Sequence, residues 1–158
     1  MASPAVAAQE TATCLTTPEA NALFMYAAPE AIDGVAKSCK ASLPAESFLS
    51  TKANETIARF RAGATGSWPM AKVAFLKIAG PGDDTTKVLA GMSDSALQPF
   101  VAAAFSGVVA KDIKPADCTK FDKFIAALAP IEPARVAALL TALMSLVGPK
   151  EGGDFKIC

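Results

Sequence analysis

The chain has 158 residues, 52% hydrophobic and 19% charged, with 15 Lys and Arg against 15 Asp and Glu and not one His. Balanced charge without a basic cluster excludes counterion-driven nucleic-acid binding and a polybasic membrane-surface segment. The missing imidazole excludes Ser–His and Cys–His catalysis and His-ligated metals.

The first thirteen residues, Met1 to Thr13, read as a disordered tail ahead of one helical domain over 14–158. Their small residues Ala5-Val6-Ala7 have the A-x-A character found beside a signal-peptide cleavage site, with Met1 added. An ordinary Ala/Pro tail is the other reading. Thr16-Thr-Pro-Glu19 is a helix start, with a capping Thr, Pro in the first turn and Glu three residues on. That helix is expected over 18–27, with Pro29-Glu30 opening a second to about Lys40 and Gly34 a weak point inside it. Leu43-Pro44 breaks the chain. A third helix spans about 45–62, with Phe48, Leu49, Ile57 and Phe60 at helical spacing.

A loop over 63–69 leads to a short apolar helix over 70–79, which Gly80-Pro-Gly82 stops. Asp83 and Asp84 cap the next, to about Ala90. Ser95-x-x-Gln98 resembles a capping box for a helix carrying Leu97, Phe100, Val101, Phe105 and Val109. Pro115 starts the penultimate helix, which ends near Pro130, and Pro133 starts the last, which Gly148-Pro149 stops. Val136 to Val147 is the longest nearly uncharged apolar run, well short of the roughly 20 residues a spanning helix needs. About a fifth of the chain is Ala and only 7% is aromatic, so no segment competes as a strand. The expected fold is all-α, a compact irregular bundle of seven to eight short helices.

The four cysteines lie at 14, 39, 118 and 158, one at either side of each terminal helix–Pro–helix hairpin. Four cysteines allow three pairings. Hairpin return geometry favours Cys14–Cys39 and Cys118–Cys158, each stabilising by roughly 3–4 kcal/mol on loop entropy. A zinc site would show close C-x-x-C spacing, against gaps here of 25, 79 and 40 positions. Buried free thiols are the third reading, opposed by a cysteine at the final position. Disulfides point to a periplasmic or secreted protein.

Motifs that carry chemistry are thin. Gly91-Met-Ser-Asp-Ser95 lacks the second Gly, the strand and the base of a nucleophile elbow. Gly80 to Lys87 has the wrong spacing for a phosphate loop and two carboxylates that repel phosphate, so it reads as a turn and an N-cap. Asp112, Asp117 and Asp122 interleave with Lys111, Lys114, Lys120 and Lys123, a solvated mixed-charge surface rather than a carboxylate pair. Asn54-Glu-Thr56 fits the glycosylation acceptor but falls inside a predicted helix. No cofactor, metal site or catalytic constellation is expected, and the chain is read as a non-enzyme.

The Cys14-Leu-Thr-x-Pro18-Glu start, Ala28-Pro29, Leu43-Pro44, Asp112-Ile-Lys-Pro115, the Leu128-Ala-Pro-Ile-Glu-Pro133 linker and the terminal Ile157-Cys158 resemble small Ala-rich exported proteins of unknown function in Gram-negative bacteria. The resemblance implies export and carries no catalytic residue. Two functions remain. The first is a binding or structural component of the cell envelope, acting through protein–protein contacts or self-association, with a solid core. The alternative is a carrier of a small apolar ligand or lipid, with a cavity lined by Phe75, Leu97, Phe100, Phe105, Phe121, Phe124 and Leu140.

Overall fold

The computed structural model describes residues 14–80, 82–147 and 156–158. The expected tail over 1–13 and the Gly148-Pro149 stop lie outside the described residues. Seven α-helices stand among those described: α1 Thr17–Cys39, α2 Phe48–Ala64, α3 Trp68–Ile78, α4 Asp84–Gly91, α5 Asp94–Asp112, α6 Cys118–Leu128 and α7 Pro133–Val147. A 3-10 turn at Pro115–Asp117 runs into α6. Two-residue strands β1 (Cys14–Leu15) and β2 (Lys156–Ile157) pair in parallel. The all-α expectation holds, with this one ladder added at the chain ends.

Helix α1 organises the molecule. The capping box at its start is complete: Thr16 Oγ1 accepts from the Glu19 amide, and Glu19 Oε2 accepts from the Thr16 amide. The helix then runs unbroken through Pro29, where two helices were expected. A mid-helix proline removes one backbone hydrogen bond and strains the preceding turn. Here Pro29 is fully buried, and α2, α3, α5 and α7 all pack against α1. Burial on several sides outweighs the local break, as tertiary packing commonly does. Gly34 also has a packing role rather than marking weakness. A Cβ there would sit 2.6 Å from the Ser106 carbonyl oxygen, so glycine lets α5 close on α1. Hydrogen bonds from Tyr26 to the Gln98 carbonyl and from Ser38 to the Ala110 carbonyl ascend together, so α5 runs parallel to α1.

The disulfides are Cys14–Cys158 and Cys39–Cys118, which corrects the expected Cys14–Cys39 and Cys118–Cys158 pairing. The reason is the length of α1. Twenty-three helical residues span roughly 35 Å at 1.5 Å each. Cys14 and Cys39 therefore lie at opposite ends of a rod, far beyond the roughly 5.5 Å Cα separation a disulfide spans. Each bond instead closes one end: Cys14 to the C-terminal strand, Cys39 to the start of α6.

Helix α5 begins at Asp94, so the anticipated Ser95–Gln98 capping box does not form. Ser93 holds the N-cap position, and its hydroxyl lies 3.1 Å from that of Ser95. The Gly80–Gly82 turn uses positive φ at both glycines, and Asp83 caps α4 by accepting from the Thr85 amide. Three apolar clusters result. One joins α1, α2, α6 and α7 around Phe60, Ile125 and the Cys39–Cys118 bond. A second holds Leu15, Ala20, Leu23 and Ala74. The third holds Trp68, Leu89, Leu97 and Val101.

Candidate functional site

Two helical stripes face one another across the first cluster. Ala28, Ala31, Ile32 and Val35 follow the i, i+3, i+4, i+7 spacing of one α1 face, and Phe121, Phe124, Ile125 and Leu128 repeat it on α6. Phe60 of α2, Val109 of α5, and Val136 and Leu140 of α7 complete the walls of a cleft of about 270 Å³. Every lining residue is apolar. The space exists because α1 contributes two alanines opposite the aromatic side chains of α6. Phe124 is 54% exposed at the rim, unusual for a phenylalanine with a core within reach.

The seven residues anticipated as one apolar surface are divided by the fold. Phe121, Phe124 and Leu140 meet in the cleft. Leu97 is fully buried in the third cluster. Phe75 and Phe105 pack edge to face at 6.4 Å, bridging the second and third clusters. Phe100 points outward from α5, half exposed. The α1 floor was not anticipated, because a break at Pro29 conceals the continuous stripe from Ala28 to Val35.

Four other clefts mix polar and apolar lining. One is lined by Tyr26, Glu30, Arg61, Trp68 and Gln98. There Arg61 donates two hydrogen bonds to the Glu30 carboxylate, at 2.9 and 3.0 Å, and this partner raises the Arg61 pKa. Burial, then the Glu30 charge, pushes the Tyr26 hydroxyl up, and that hydroxyl donates to the Gln98 carbonyl. Along α1, Asp33 accepts from Lys37 at 2.6 Å and from Ser106 at 3.2 Å. These contacts tie α1 to α2 and to α5.

The mixed-charge segment resolves into separate tasks. Asp122 accepts from the Leu49 amide at 2.7 Å and the Phe48 amide at 3.4 Å, closing the start of α2. Asp117 pairs with Lys120 at 3.3 Å. The acceptor triplet at Asn54 sits mid-helix in α2 with Thr56 buried. All four cysteines are in disulfides, so none is a thiolate ligand. No single helix among the described residues is long and apolar enough to cross a membrane.

No family model, curated protein or solved structure matches the chain. Its functional reading therefore rests on this geometry.

Proposed function

We propose that the chain is an exported, non-catalytic binding protein of the periplasm or the secreted fraction, and that it carries a small apolar ligand in the α1–α6 cleft. The observation that carries this reading is a cleft of about 270 Å³ walled only by apolar side chains. Such a site offers no partner to a polar atom, so burying one there costs free energy. A cavity of about 150 Å³ holds a benzene ring, so by proportion this cleft takes roughly ten carbon atoms. Two disulfides are consistent with an oxidising, extracytoplasmic setting. The test is a decanol titration followed by methyl NMR. Saturable shifts at Ile32, Ile125 and Leu140 support the reading, and their absence overturns it.

A second reading, a protein-contact component of the cell envelope, draws on the outer faces of two helices. Between Asp94 and Lys111, α5 carries no charge and exposes Phe100 and Val108. From Val136 to Val147, α7 carries none and exposes Leu139, Leu143 and Leu146. Sedimentation of the protein with and without Leu143→Lys checks it. A concentration-dependent dimer lost in the variant supports self-association, and a monomer throughout removes it.

A further inference from the structure

Helix α7 has two unlike faces. Val136, Ala137, Leu140, Thr141 and Met144 are buried or half-buried against the protein, and Val136 and Leu140 wall the cleft. Arg135, Leu139, Ala142 and Leu146 are exposed and follow one another at steps of four, three and four. That spacing is the seam of a coiled coil, one stripe along the side of a helix. Beyond Arg135 at its head the stripe carries no charge. Leu139 is half exposed, Leu146 is 83% exposed, and Leu143, half exposed as well, widens the stripe along one edge. Contiguous apolar surface of this kind marks a contact site.

We propose that this stripe pairs with the same stripe of a second copy of the chain, the two α7 helices lying antiparallel about a twofold axis. The proposal rests on the protein-contact reading and names its partner. A twofold interface must be complementary to itself, and the order of side chains here is. In the antiparallel seam Leu139 meets Ala142 of the second copy, and Ala142 meets Leu139 of the second copy. Each central layer therefore holds one large and one small side chain. At either end Leu146 meets Arg135 of the second copy, whose methylenes cover the leucine while the guanidinium reaches water. Arg135 already pairs with Glu132 at 3.6 Å, with both side chains mostly exposed, so only its stem is used. Parallel pairing would instead set alanine on alanine and arginine beside arginine, leaving a void and a like-charge contact. Each stripe presents roughly 500 Å², so a pair buries about 1,000 Å² in all, the lower limit for a specific interface, and the dimer is transient. The inner face of α7 is not used, so the cleft stays open.

The test is sedimentation equilibrium of the oxidised full chain into the millimolar range, with Leu139→Lys and Ala142→Glu measured alone and mixed. The unaltered chain should form a dimer. Each variant alone should weaken it roughly tenfold or more, because a charge then enters both central layers. The mixture should recover most of that loss as a heterodimer. Antiparallel pairing sets the new ammonium against the new carboxylate in one layer and leaves the other layer native. Leu139→Glu with Ala142→Lys carries the same expectation if a variant loses its helical circular dichroism. A dimer lost in both variants and not recovered on mixing overturns the antiparallel register. A dimer that neither variant weakens, but that Phe100→Lys abolishes, places the contact on α5 and overturns the α7 assignment while the protein-contact reading stands. A monomer throughout overturns this proposal and self-association with it. A monomer that co-sediments with phosphatidylcholine vesicles, and ceases to in Leu139→Lys, would mean that a lipid surface covers the stripe, which also overturns the proposal.

Discussion

Glu19 shows how much one side chain can hold. Its carboxylate accepts from the Thr16 amide at the head of α1 and from the Lys77 ammonium of α3, at 2.7 and 2.8 Å. The side chain is only 13% exposed. Lys77 first, then the Thr16 amide, holds the carboxyl below its ordinary value of 4.5, against the opposing effect of burial. A lowered folded-state pKa means stability present above the ordinary value and lost as pH falls through the lowered one. Glu19→Gln should therefore lower the melting temperature at neutral pH, and the two proteins should converge in acid. Thermal unfolding across pH checks this. A gap that stays full size at about pH 2, where both carboxyl and amide are neutral, would show that the charge is not what Glu19 contributes. Half of this arrangement was legible in the sequence, because a capping box is a four-residue pattern. The Lys77 half was not, since it joins positions 58 residues apart.

Elements were read well where their signals are local and poorly where packing decides. The Thr16 start, the Asp83 cap, the Gly80–Gly82 turn and the Pro133 start all follow from short-range chemistry. Pro29 looks like a boundary because a proline penalty is visible in sequence and the burial that offsets it is not. Asp122 is a similar case: among alternating lysines it resembles a solvated charge, yet it closes another helix. A carboxylate facing the first amides of α2 satisfies donors that lack helical partners and complements the helix dipole. Asp122→Ala should cost about 0.5–2 kcal/mol, the usual range for losing a cap. Asp122→Asn should cost less, since it keeps an acceptor. Urea unfolding measures both, and unchanged midpoints would mean that water replaces the carboxylate without loss.

At the scale of the whole molecule, one helix length sets the topology. Cysteine positions announced two disulfides, but their pairing depended on whether the first forty residues fold back or run straight. Because α1 runs straight, one bond closes each end, and each encloses a long stretch of chain. Separations of 144 and 79 residues give roughly 4–5 kcal/mol apiece on loop entropy. The same continuity aligns Ala28 with Val35 and so makes the cleft floor, which is why site and pairing were missed together. The two bonds differ sharply in access. Cys39 is 0% and Cys118 1% exposed within the first cluster, whereas Cys14 is half-buried and Cys158 exposed. Thiolate exchange needs direct access to sulfur. A limiting dithiol reductant under native conditions should open Cys14–Cys158 first, yielding two protein thiols and one oxidised reductant. Alkylation and mass mapping should then find tags at Cys14 and Cys158 only. The helical signal should persist, because Cys39–Cys118 still joins α1 to α6. Tags appearing together on all four cysteines would mean that the terminal ladder holds the fold closed, and that releasing β2 from β1 opens the core cluster as well.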